Sequence, residues 1–411
     1  MQHLLFSSVF TYNEISNFPV YADAGSSEAK EESMKKFLLS LLAVLMVFSL
    51  CACGQKAPEE AENGGEEVKE THSVIYFCRR LGDISYNDAG LEGVKAACDK
   101  YGWTYDYVEL GDDMATFETA FVDALDSGDY DIVVTQNGSS LGDYCEKYSP
   151  DYPGIKFIFF DAVRDKNISG LDNVYGISYN GAESCFVAGA IAGAMTKTNT
   201  LGCITYGDNP GGNDFVTGWF SGLLYSNPEA KSYLAYGDSM PNGAPDALEV
   251  TNNMVASGAD LVLGGSGRLF AGIVQSLTEN GGVDSGLFAF GPDTDMYQSY
   301  SSGAQAEWAD VILSSVLKNI KNSIETALDK IADGTIEWGT VNYSGIAEGG
   351  TDICVNDHFK ELAPQEVQDL VNDIYAKIKS GELKVQSYFD FADRDAFQAW
   401  REGTGALASL N

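Results

Sequence analysis

Residues 74–95 read VIYFCRRLGDISYNDAGLEGVK. The opening run is mostly apolar or β-branched, the pattern of a strand covered on both faces. Leu81-Gly82-Asp83 is a turn. Asn87 or Asp88 can cap a helix that begins at Ala89 and continues through Leu91, Val94 and Ala97. Strand, loop and helix in this order open an α/β fold, which binds ligands in loops at the carboxyl ends of its strands. The loop offers Tyr86 as an aromatic platform and Asn87 and Asp88 as polar groups able to read a base. The same residues also read as a plain turn with a helix cap.

Upstream lies a different kind of sequence. Met34-Lys35-Lys36 precedes residues 37–50, a run without a charge. At ~1.5 Å per residue that run spans about 21 Å, short of a bilayer core of ~30 Å. A basic start, a short apolar run and small residues at the end make a secretory signal. Its end, Leu50-Cys51-Ala52-Cys53-Gly54, resembles the lipobox of bacterial lipoproteins, with Cys53 as the lipidated residue. Residues 1–33 carry Glu28, Glu31 and Glu32 where a signal should be basic, so they read as an over-extended N-terminus. The organisation expected is 1–33 extension, 34–52 signal peptide and 53–72 acidic disordered tether. The body follows as 73–178 first lobe, 179–305 second lobe, and 306–411 a return to the first lobe plus a C-terminal hairpin and helix.

The formal charge is −35, with only 25 Lys and Arg. That balance argues against nucleic acid and anionic lipid headgroups as partners and suits an extracytoplasmic protein held to the bacterial cell membrane by its lipid. Of eight cysteines, Cys51 and Cys53 belong to the signal. The other six show no metal spacing, and Cys78, Cys185 and Cys203 sit in apolar runs as small core residues.

Along the body, strands and helices alternate, which predicts an α/β fold. Residues 181–196 form a helix crowded with Gly and Ala, suited to close packing. The unit at 201–224 repeats the opening one, again strand, Gly-Asp, loop, Asn-Asp and helix. Residues 307–313 read as extended, 314–332 as a long helix, 336–353 as a loose hairpin and 364–380 as an amphipathic helix.

Only His358 stands in the body as an imidazole, far from any nucleophile motif, and Arg268 breaks a GxSxG pattern after Gly264-Gly265-Ser266-Gly267. No enzyme chemistry and no cofactor are expected. Polar residues instead recur where apolar runs end: Asn137, Asp161, Gly265-Ser266 and Asp293. In a doubly wound sheet such points line one edge, and two facing edges make a cleft for a small polar ligand.

Four ordered blocks carry a family resemblance. Gly82-Asp83-Ile84-Ser85-Tyr86-Asn87-Asp88-Ala89-Gly90-Leu91-Glu92-Gly93 resembles the opening pattern of the basic membrane protein family, purine-nucleoside-receptor-like lipoproteins that serve ABC importers as substrate-binding proteins. The other blocks are Val187-Ala188-Gly189 through Lys197-Thr198, Gly258-Ala259-Asp260 with its Gly-rich turn, and Ser314-Ser315-Val316-Leu317-Lys318. The resemblance implies a type I periplasmic-binding-protein fold, two Rossmann-like lobes joined by hinge strands around a ligand cleft. It implies that Tyr86 and Phe270 sandwich a purine, that Asn87 and Asp88 read the base, and that Asp293 and Lys318 hold the ribose beside the strand-end acid Asp161. It also implies an ABC permease as membrane partner. Tyr86 replaces the family's Phe, Pro292 stands inside its Gly-Val-Asp pattern, and Arg268 adjoins the Gly-rich turn, so a sugar or signalling molecule is the alternative ligand. A surface adhesion or interaction lipoprotein without a transport role is the alternative function.

Overall fold

The computed structural model describes residues 71–164, 166–404 and 406–407. The signal, Cys53 and nearly all of the tether lie outside them. In the first lobe β1 (Ser73–Cys78), α1 (Tyr86–Tyr101), β2 (Thr104–Glu109), α2 (Phe117–Ser127), β3 (Ile132–Gln136), α3 (Leu141–Tyr148), β4 (Lys156–Phe160) and β5 (Val174–Tyr179) follow in order. Their sheet runs β11-β5-β4-β3-β1-β2, wholly parallel, with β11 (Thr340–Ser344) arriving from late in the chain. The inner strands are buried on both faces, as parallel strands between two helix layers must be.

The second lobe repeats the plan. It holds α4 (Gly181–Met195), β6 (Thr200–Thr205), α5 (Pro210–Ser226), β7 (Lys231–Tyr236), α6 (Ala244–Ala256), β8 (Leu261–Gly265), α7 (Gly267–Glu279), β9 (Phe288–Asp293), α8 (Met296–Ser301) and β10 (Ile312–Lys318). Its sheet order is β12-β10-β9-β8-β6-β7, parallel except for β12 (Thr351–Ile353), which runs antiparallel to β10. The small-residue helix α4 packs on α5 rather than crossing a membrane. A Cβ on Gly189 would lie 2.3 Å from the Trp219 carbonyl, and one on Gly222 would lie 2.0 Å from that of Phe186. Only glycine permits that approach.

Four readings of the sequence change. Helix α1 starts at Tyr86, because Asp83 caps its first turn from outside. The long helix over 314–332 divides. Ile312–Lys318 is a strand and only α9 (Ile320–Ala332) is helical, because β10 is held between β9 and β12 and its serines find backbone partners. The Ser314 hydroxyl donates to the Cys354 carbonyl at 2.7 Å, and the Ser315 hydroxyl accepts from the Met296 amide at 3.1 Å. Tertiary pairing here overrides helical periodicity. The stretch 336–353 is no hairpin, since β11 and β12 join different sheets. Residues 306–311 form a 3₁₀ turn rather than a strand.

The C-terminal stretch is therefore shared between lobes. Only α9 and β11 lie in the first. Beyond β12, the helices α10 (Asp357–Leu362), α11 (Gln365–Ser380) and α12 (Arg394–Gly403) bury Phe359, Ile374 and Phe397 in the core of the second, with Trp219 and Phe220. The chain crosses between lobes three times, near Asn180, Asn319 and residues 345–350. The Asn180 amide donates to the Ser344 carbonyl and the Asn319 amide to that of Gly350, each at 2.9 Å. The six described cysteines are buried and unpaired.

Candidate functional site

Parallel strands put all their carboxyl ends on one edge, and the two edges face each other across a cavity of about 1200 Å³. The loop after β1 forms its most organised wall. Asp83 accepts from the amides of Ser85, Asn87 and Asp88 at 3.1, 2.9 and 3.2 Å and from the Asn87 side-chain amide at 2.7 Å. Asp88 closes the loop from the other side, accepting the amides of Gly82 and Ile84 at 2.8 Å each. Below, the Tyr76 hydroxyl of β1 donates to the Asn87 carbonyl at 3.0 Å. A carboxylate only accepts, so the nitrogen of the Asn87 amide must face Asp83. Its oxygen Oδ1 is left buried and without a protein partner beside the cavity.

Residues from both lobes meet over this loop. Lys318, at the end of β10, is buried and donates to Asp161 Oδ1 at 2.8 Å, at the end of β4. Burial alone would lower the Lys318 ammonium, but Asp161 and Asp293 outweigh it and hold the pKa above its usual range. The Lys318 ammonium also stands 5.8 Å from the Tyr86 ring centroid, and the Tyr86 hydroxyl donates to Asp161 Oδ2 at 3.4 Å. Asp293, at the end of β9, accepts from the Ser85 hydroxyl of the opposite lobe at 3.3 Å. Burial pushes its carboxyl up to about 6, against the pull of Lys318.

Backbone geometry marks the same edge. Six described non-glycine residues have positive φ, and Ile84, Ser139, Asp161 and Asp293 among them line the cavity. Such conformations cost about 1–3 kcal/mol each and persist where surrounding contacts enforce them, often at binding sites.

The structure thus brings Tyr86, Asn87, Asp161, Asp293 and Lys318 together. It does not bring the other expected residues to the same place. Phe270 is fully buried in the second lobe's core against Tyr300, ring centroids 5.9 Å apart, because α7 turns its apolar face inward. Asp88 has both oxygens committed to loop amides, so it braces the reader rather than reading. Asn137 lines a smaller adjoining compartment, where its Oδ1 accepts from Lys166 at 3.2 Å.

Residues 73–387 match the family described as ABC transporter substrate-binding protein PnrA-like, Bmp. The chain belongs to the Bmp family. Among its relatives are the "CD4+ T-cell-stimulating antigen" of Listeria monocytogenes, 24% identical with 86% of this chain and 99% of that protein covered, and the "ABC transporter nucleoside-binding protein BmpA" of Lactococcus lactis, 22% identical with 86% and 100% covered. The solute-binding protein of an ABC transporter system from Aeropyrum pernix K1 has the same fold, with a TM-score of 0.67 at 20% identity over 81% of this chain and 97% of that one. This is the two-lobed α/β architecture of type I periplasmic binding proteins. The Bmp family is one of ABC transporter substrate-binding proteins, and by family this chain is one of them.

Sequence reading did not single out several residues of this Bmp site. Asp83 and Ser85 stand in the quoted motif, but only in the folded loop does one brace the backbone and the other reach Asp293. Tyr206 lines both compartments from the end of β6. Its signal was the repeated unit, where Tyr206-Gly207-Asp208 follows a strand as Leu81-Gly82-Asp83 does. Arg268 faces the cavity with its guanidinium committed to the carbonyls of Met240 and Gly237 at 2.9 and 3.2 Å. It carries no carboxylate partner there.

Proposed function

We propose that this protein is a lipid-anchored receptor of an ABC importer, which captures a purine nucleoside or a similar small polar solute between its lobes and hands it to a membrane permease. The observation that carries the reading is the convergence, from opposite lobes, of Tyr86, Asn87 and Asp161 with Asp293 and Lys318. A flat base stacks on Tyr86, an interaction worth roughly 1–3 kcal/mol. The free Oδ1 of Asn87 accepts from an exocyclic amine or ring N–H of that base. Two vicinal ribose hydroxyls donate to Asp293, and Lys318 donates to a sugar oxygen. Tyr206, in place of the inward-facing Phe270, supplies the second aromatic surface. Ligand contacts to both lobes shift the population toward a closed form. Lipid on Cys53 and release outside the cytoplasmic membrane complete the reading, in keeping with the lipobox and the acidic tether.

A thermal-shift panel of nucleosides, bases, sugars and amino acids tests it. Stabilisation by at least one purine nucleoside is expected, and it is lost in Asp293→Ala. A shift with a sugar and with no nucleoside would replace the proposed ligand by the sugar.

A further inference from the structure

The lobes are tied to each other by more than the three chain crossings. In the main cavity the Thr294 hydroxyl donates to the Ile84 carbonyl at 3.2 Å, beside the Ser85–Asp293 contact. Two of the ion pairs among the described residues also join lobe to lobe. One is Lys318–Asp161, which lines both compartments of the cleft, and the other is Arg164–Asp390 at 3.1 Å. Asp390 lies past the family match, which ends at 387, and lines neither compartment.

Both partners of this second pair are held from behind, beside the hinge. The Arg164 guanidinium lies 5.1 Å from the ring centroid of Tyr343, the neighbour of Ser344, whose carbonyl receives the Asn180 amide at a crossing. Asp390 gives Oδ1 to Arg164 and Oδ2 to the Ser387 amide at 3.1 Å. The Ser387 hydroxyl and the Tyr388 amide donate to Asp214 Oδ1 at 2.6 and 2.9 Å. The other Asp214 oxygen accepts the Ala182 amide at 3.0 Å, just past the Asn180 crossing. Further along, Arg394 pairs with Asp208, and the Leu407 amide donates to the Ser232 carbonyl of β7 at 2.9 Å. Residues 387–407 are thus anchored on the second lobe and reach the first through Asp390.

An ion pair between long, mobile side chains contributes little, because both must be ordered to form it. Here Tyr343 and the Ser387 amide order the partners in advance, and the two side chains are only 31% and 28% exposed. Asp390 has a short side chain fixed to its own turn, so it cannot follow Arg164 when the lobes rotate apart. We infer that residues 387–407 form a hinge strap, whose Arg164–Asp390 pair holds the lobes in contact and breaks when the cleft opens. The inference rests on the two-lobe closure of the reading above, and not on which ligand is bound. The strap sets the resting population of the closed arrangement, and a ligand shifts it further.

Single-molecule energy transfer in the full chain tests this. Fluorophores are clicked onto unnatural residues at the exposed positions Asp123 of α2 and Glu249 of α6, one in each lobe. Without added ligand the unmodified protein is expected to show a near and a far population. Asp390→Asn and Arg164→Gln are each expected to lower the near-to-far ratio about two- to fivefold. The double variant falls no further than either single one, since both remove the same pair, and Arg164→Lys stays within about twofold of the unmodified protein. Raising KCl from about 0.05 to 1 M lowers the ratio in the unmodified protein, a readout that needs no substitution in the pair. Ratios unchanged in both single variants, losses that add in the double variant, or a ratio in the unmodified protein that ignores salt would overturn the strap and leave ligand capture standing. One fixed distance in the unmodified protein, with and without adenosine, would overturn the two-lobe closure and the strap with it.

Discussion

Burial pushes the Asp293 carboxyl up to about 6, with Lys318 pulling against the rise and the neighbouring Asp161 and Asp83 adding to it. Its folded-state pKa is raised, so the folded protein holds this proton more tightly than the unfolded chain. Ionised Asp293 therefore opposes folding at neutral pH, and that penalty fades as pH falls through about 6. Ligand binding has the opposite sign, because two hydroxyls can donate only to the carboxylate. Affinity is expected to be flat above pH 7 and to weaken about tenfold per unit below 6, measured by titration calorimetry from pH 8 to 5. Asp293→Asn should flatten that profile. At Lys318 the effect falls on stability as well. Lys318→Met leaves Asp161 at positive φ without its cation, and a loss of about 2 kcal/mol in chemical denaturation is expected, together with loss of ligand binding.

At the scale of elements, the loop after β1 is built to hold Asn87 still before any ligand arrives. Asp83→Ala removes the acceptor of four donors on that loop while leaving the β1 core intact. A fall in ligand affinity of tenfold or more, about 1.4 kcal/mol, is expected, with the melting temperature within a few degrees of the parent. The helix pair α4 and α5 answers to different physics. Gly222→Ala places a methyl 2.0 Å from a backbone carbonyl that cannot move alone. A loss of about 1–3 kcal/mol in thermal unfolding is expected, with ligand affinity unchanged in the protein that remains folded. Much of this level was legible in the sequence. Buried strands of parallel sheets read as apolar runs, and β1, β3, β4 and β6 were visible that way. The strand β10 was not, since Ser314 and Ser315 break its apolar run and their satisfaction depends on Cys354 and Met296, remote in sequence. Asp88 was misread for a related reason. A carboxylate two residues past an aromatic looks the same whether it points at a ligand or at loop amides, and only the fold of the loop decides.

For the whole molecule, the repeated α/β plan was visible in the sequence, and the late crossing of the chain was not. Residues 336–353 look like a hairpin because two short polar strands follow each other. Their partners, β5 and β10, lie about 165 and 35 residues back along the chain, and no local pattern encodes them. The same non-locality hid the contact of Asp390 with Arg164, which exists only once both lobes are in place. It also hid Tyr206, which faces the cleft because the second unit repeats the first. The proposed function requires two lobes closing over one ligand through Asp293 and Lys318. Titration calorimetry of purine nucleosides into the protein and into Asp293→Ala tests this most directly. One ligand per chain, with affinity lowered at least about a hundredfold in Asp293→Ala through loss of two charge-assisted hydrogen bonds, is predicted. Nucleoside binding of equal strength in the two proteins would contradict it.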